Sequence, residues 1–200
     1  MSTVITPTPP LSPPLIPRLL TVADLACLPS DLPSGPVHYE LDDGRLVIMP
    51  PPGDLHGAVE CNIAADLKIQ GERRGHGKAR SGEVAIILRR NPDRVVGADA
   101  AFITNASLPL RRSREGYLET IPELISEVRS KNDTQPEIDK KVEDYLRAGV
   151  KVVWVADPAI QTVTEYRPGL PPRVYTITDT LTVDDIIPGF RMTVQQVFEI

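Results

Sequence analysis

Aromatic side chains are scarce in this sequence, 4% of 200 residues with one tryptophan. A site that grips sugar rings between aromatic faces is therefore hard to build here, although a pair of carboxylates alone would permit glycosidase chemistry. Cysteine is rarer still. Cys27 and Cys61 stand alone, without the close pairs of a zinc site or the density of a disulfide scaffold. Both read as packing residues in a reducing interior. No apolar run reaches the roughly 18 residues of a membrane span, and the N-terminus lacks the basic start and apolar core of a secretory signal. The expectation is a soluble, cytoplasmic chain with no membrane partner. Basic excess is missing too: 22 Lys and Arg face 27 Asp and Glu, for a net charge of −5 and a pI near 5.3. Coating nucleic acid through bulk charge is excluded, whereas a local basic groove is not.

What is present is enough apolar content, 41%, for one sizeable core. Proline is dense in MSTVITPTPPLSPPLIP, so residues 1–18 read as a disordered lead and 19–200 as a single domain. TVADLACLP predicts a short helix capped by Thr21 and Asp24 and ended by Pro29. VHYEL and RLVIMP flank Asp42-Asp43-Gly44, a strong hairpin signal. Val59, Ile63 and Leu67 recur every four residues on one helical face, with the Gly71 to Gly77 region as the stop and His56 in the first turn. EVAIIL (83–88) and VVGADAAFI (95–103) read as neighbouring antiparallel strands, and LISEV as a third. A helix follows from about Pro136 to Ala148, stopped by Gly149; then come KVVWVAD, a buried strand with Trp154 as core, and a terminal hairpin from TVTEYR and RVYTIT. This order implies an α/β fold: a mixed sheet flanked by helices, with one hairpin before it and one after.

Two acids interrupt strands otherwise built for burial. Alternation puts Val96, Ala98, Ala100 and Phe102 on one face and Asp99 on the other with Gly97, Ala101 and Ile103; in LISEVR it groups Glu127 with Ile125 and Arg129. If the strands are neighbours, both acids can point to the same side, where they repel unless a cation sits between them. Magnesium, a hard ion that takes carboxylates, waters and phosphate, would resolve the repulsion. The alternative is an arginine such as Arg129 on each acid. On the helix, Ile138, Val142, Tyr145 and Leu146 form the apolar stripe; Lys141 falls on its flank and Lys140 on the opposite side, so only Lys141 can look towards the sheet. His56 reads equally as a helix-terminal histidine bonded to backbone, and it shows no ligand spacing with His38 or His76. Arg73, Arg74, Lys78, Arg80, Arg89, Arg90 and Arg94 could rim a phosphate-binding surface, or simply face solvent.

Taken in order, YELDDGRLVIMPPPGDLHG, GEVAIILRRNPDRVVGADAAFI, PELISEVRSKND, KVEDYLRAGVKVVWVADP and IIPGF resemble the Uma-type branch of the PD-(D/E)XK nuclease superfamily, a restriction-endonuclease-like family, over roughly residues 20–199. The resemblance implies a metal-dependent endonuclease acting on DNA, with Mg2+, or Mn2+, held by Asp99, Glu127 and the Val128 backbone carbonyl. It implies Lys141 as the catalytic cation, displaced onto the helix from the superfamily's usual position, which Arg129 occupies here. Glu83, His56 and Arg129 are accessory residues by the same matching, and a homodimer is the implied assembly. Ala98 replaces the proline of the PD pair. The competing expectation is a catalytically inactive nuclease fold that binds nucleic acid or protein, in which arginine neutralises Asp99 and Glu127.

Overall fold

The structure, a computed structural model, describes residues 18–33 and 35–200. The expected disordered lead thus lies outside the described residues except for Arg18, which pairs with Asp24 at 2.6 Å. The front of the chain holds α1 (Val22–Leu25), β1 (Asp31–Leu32), β2 (Gly35–Pro36), β3 (His38–Asp42), β4 (Arg45–Met49) and α2 (Asp54–Asp66). The centre holds β5 (Gly77–Arg89), β6 (Arg94–Thr104), β7 (Leu124–Val128), α3 (Gln135–Ala148) and β8 (Val152–Asp157). The end holds β9 (Thr162–Tyr166), β10 (Arg173–Tyr175), β11 (Thr180–Leu181), β12 (Met192–Thr193) and α4 (Val194–Val197). No helix among the described residues is long and apolar enough to cross a membrane.

Local chemistry accounts for the element ends. Thr21 and Asp24 form a reciprocal capping box at α1, and Thr134 with Glu137 does the same at α3. Gly149 closes α3 in the left-handed region at φ 109°, a conformation that costs other residues a Cβ clash. α2 does not stop at Leu67; a wider π-helical turn carries it on to Glu72. β5 also starts earlier than its apolar run suggests, at Gly77. It absorbs a bulge in which Gly82 and Glu83, both at positive φ, sit between Ser81 and Val84.

Eight strands form the main sheet, in the order β10-β9-β8-β7-β6-β3-β4, with β5 also pairing β6. β7 runs antiparallel to β6 and parallel to β8, the connection between β7 and β8 being α3. Along one edge β6 changes neighbour: Val95 pairs with Leu41 of β3, while Ala100, Ala101 and Phe102 pair with β7. The sheet therefore forks between those points.

One face of the sheet is covered by α2 and the C-terminal segment, where Val59, Ile63 and Leu67 meet Phe102, Leu124, Trp154 and Phe190. The other is covered by α3, where Ile138, Val142 and Tyr145 meet Ile125, Val153 and Val155. Val96 and Ala98 pack with Ala101 and Ile103 on the α3 side, while Ala100 and Phe102 lie on the α2 side. The strict alternation expected along β6 is thus wrong across Asp99, the stretch that faces the β5 bulge. The cysteines are corrections too. Cys27 and Cys61 are both exposed and contribute nothing to the core.

Candidate active site

The fork holds two buried acids on neighbouring strands, Asp99 met by His56 from α2 and Glu127 met by Lys141 from α3. Extending the β6–β7 register one step beyond Ala100 and Ser126 sets Asp99 opposite Glu127, and both side chains are buried. Asp99 Oδ2 accepts a hydrogen bond from the Val128 backbone N–H at 2.6 Å, which ties the acid of β6 to the backbone of β7. Its other oxygen, Oδ1, lies 3.2 Å from His56 Nε2, reaching in from the first turn of α2.

Lys141 enters from the α3 side. Its Nζ donates to Glu127 Oε2 at 2.9 Å and to the Gly97 carbonyl at 3.2 Å, and lies 3.3 Å from Glu40 Oε1. Lys140, one residue earlier, points away and pairs with Asp42. The Tyr145 hydroxyl donates to Glu127 Oε1, so both oxygens of that carboxyl are engaged.

Burial pushes Glu127 up to about 8; Lys141 opposes the rise and Asp99 adds to it. Lys141 moves the other way from a desolvated lysine. Burial works against its charge, but Glu127 and Glu40 outweigh burial and hold it above its ordinary value, so it is a fixed cation. Burial likewise raises Glu60 and Glu83, each also facing the Asp99 charge. Burial opposes a charged His56, yet Asp99 draws its pKa up.

Several expectations change here. Arg129 does not neutralise Glu127: its guanidinium pairs with Asp157 at 3.3 Å, and the arginine clamp that an inactive fold would need is absent from Glu127 and Asp99 among the described residues. Arg94 is no part of a basic rim. It is buried, bonded to Asp144 at 2.8 Å and to the Leu41 carbonyl at 3.1 Å. His56 makes no backbone hydrogen bond; both ring nitrogens are buried without a hydrogen-bond partner among the described residues. Its nearest charged neighbour is Asp99, 3.2 Å away. Glu83, on the bulge, lies 3.6 Å from His38 and beside Gly97, at the margin of the fork.

Two residues escape the sequence reading. Glu60 joins His56 and Asp99 in a group whose donor atoms all lie within 4.8 Å of one another. A signal existed, since His56 and Glu60 are spaced i, i+4 on one helix face; searching only among histidines misses it. Glu40 is the second. It is buried in β3, with Oε1 accepting from the Gly97 N–H at 2.9 Å, and no spacing in HYELD distinguishes it from an exposed hairpin acid.

The model of a family named Uma2, described as "Putative restriction endonuclease", matches residues 23–195. Among solved structures, a crystal structure from Anabaena variabilis titled as a putative nuclease belonging to DUF820 superposes with a TM-score of 0.72. It shares 19% identity, and the alignment covers 90% of this chain and 97% of that one. At that identity the likeness establishes the shared fold. No curated protein matches the chain.

Proposed function

From the membership of this chain in the Uma2 family of restriction-endonuclease-like proteins, we propose that it is a divalent-metal-dependent endonuclease that hydrolyses DNA phosphodiester bonds. The observation that carries the reading is the fork itself, where the buried acids Asp99 and Glu127 stand on neighbouring strands, with a fixed ammonium, Lys141, against Glu127 and an imidazole, His56, against Asp99.

The residues fit a cation. Asp99 and Glu127 offer oxygen donors, the Val128 carbonyl would be a further ligand, and burial has already made Glu127 reluctant to ionise without a positive neighbour. His56 and Glu60 extend the donor set from the α2 side of Asp99. A nitrogen donor among carboxylates suits manganese better than magnesium, which demands oxygen ligands and retained waters. When bound, such an ion supplies neutralisation of phosphate charge and a more acidic water.

The chain's own groups divide the remaining work. Lys141 is held protonated, so it supplies a positive charge, gives a phosphate oxygen the N–H that Glu127 releases on turning to the ion, and does not serve as a proton acceptor. Tyr145 orients Glu127 by its hydroxyl, and the Val128 N–H orients Asp99. Arg129, half-way exposed on the loop after β7, belongs to the Asp157 pair and not to the reacting centre.

Incubating purified protein with plasmid under Mg2+ or Mn2+, beside Asp99→Ala and Lys141→Ala, tests the proposal. Cleavage by the wild type alone is expected. Equal cleavage by all three proteins, or none by any of them with either ion, would sink it.

A further inference from the structure

Glu40 is a carboxylate that the hydrolytic reading leaves without a task. It sits in β3 with a residue exposure of 6%, and a carboxylate kept that far from water must be held by partners. It has three. Oε1 accepts from the Gly97 N–H at 2.9 Å and lies 3.3 Å from Lys141 Nζ; Oε2 lies 3.5 Å from Arg94 Nη1. Arg94 is itself fixed by Asp144 at 2.8 Å and the Leu41 carbonyl at 3.1 Å. Glu40 is thus immobilised from both ends.

The consequence falls on Lys141. An ammonium has three N–H groups, and this one has three oxygen neighbours: Glu127 Oε2 at 2.9 Å, Gly97 O at 3.2 Å and Glu40 Oε1 at 3.3 Å. Two of them, Glu40 and Gly97, belong to the β3–β6 side of the fork and are bonded to each other. The third is the acid assigned to the cation. Glu127 cannot give its lone pairs fully to a metal while it is also the lysine's strongest partner. Lys141 must let go of one carboxylate without leaving the site, and Glu40 is the one it keeps.

We propose that Glu40 is a positioning residue, the second anchor that retains Lys141 in the fork when Glu127 turns to a divalent ion. The inference rests on the metal-dependent reading above. In the absence of the Glu40 charge, Lys141 has one anion left and competes with the metal for Glu127.

Mn2+ affinity measured by titration calorimetry tests this without reference to cleavage. Glu40→Gln, whose amide oxygen still accepts from Gly97, is expected to bind Mn2+ about tenfold more weakly, the size of coupling seen between charges in contact. Glu40→Asp, which keeps the charge, is expected to recover most of the affinity. In a Lys141→Met background the competitor is gone, so adding Glu40→Gln should change affinity by less than about twofold. Thermal melting identifies any variant that does not fold; if Glu40→Gln fails, the smaller loss in Glu40→Asp must vanish in the Lys141→Met background. Unchanged affinity in folded Glu40→Gln overturns the inference alone. So does an equal loss with and without Lys141, which would reduce Glu40 to a general source of negative field. A wild-type protein that binds no Mn2+ overturns the metal reading and this inference with it.

Discussion

Replacing Glu127 by glutamine should make the protein more stable while removing its chemistry. The buried row Asp144, Arg94, Glu40, Lys141, Glu127 alternates in sign and ends on Glu127, which shares its one cation, Lys141, with Glu40. Burial lifts its carboxyl from an ordinary 4.5 to about 8. The sign follows from which state holds the proton. Between those two values the folded protein keeps it and the unfolded chain has released it, so stability falls as pH rises from about 4.5 to about 8 and is flat above. At roughly 1.4 kcal/mol per pH unit, holding the proton at pH 7 costs about 3 kcal/mol. Glutamine has the same shape and no proton to hold. Glu127 accepts from both Lys141 and Tyr145, whereas glutamine accepts from one and turns an N–H towards the other, which offsets part of the gain, leaving about 1–2 kcal/mol, or a melting temperature higher by roughly 2–8 °C in a domain of this size. The assay is thermal unfolding of wild type and Glu127→Gln, followed by circular dichroism from pH 4.5 to 8.5. The difference should be near zero at the acid end and grow with pH. A variant less stable than wild type at pH 8, or a difference that does not change with pH, would refute the reasoning.

Two further outcomes follow from the packing. Arg129→Ala should leave Mn2+ affinity within about twofold of wild type and cost at most about 1 kcal/mol, since its partner is a part-exposed Asp157 and not Glu127; a tenfold loss of affinity by calorimetry would place Arg129 in the site after all. Gly71→Ala should destabilise by about 1–3 kcal/mol in denaturant titration, because a Cβ there would run into the ring of Phe102, which is completely buried and has nowhere to move; unchanged stability would contradict that packing.

The parts of this fold legible in the sequence are those set by neighbours along the chain. Asp43-Gly44 can only turn, Gly149 can only end a helix in that conformation, and the 100° step of α3 separates Lys141 from Lys140 without any knowledge of the sheet. What was not legible is set across the sheet. The bulge at Gly82 and Glu83 shifts register opposite Asp99, so a rule of strict alternation loses its phase at the residue that matters most. Glu40 looks like any polar residue of a half-exposed hairpin until β3 is laid beside Gly97. Arg94, in a run with Arg89 and Arg90, is indistinguishable in sequence from a surface cation because its oxygen partners come from β3 and α3. Cys61 sits one residue after Glu60 in a helix that reads as amphipathic, yet its side of the helix meets solvent.

The fork in the sheet has one more implication. In the plane of the sheet β3 shares a single registered pair with β6, Leu41 with Val95, and beyond it the two strands are fastened by Glu40 on the Gly97 amide and by Lys141 on the Gly97 carbonyl. The seam joining the β3–β4 hairpin to the rest of the protein is thus stitched by the groups that surround the candidate reaction centre. Whatever tugs on Lys141 or Glu40 during a reaction tugs on that seam, and the hairpin rides on the chemistry as a door rides on its hinge pin.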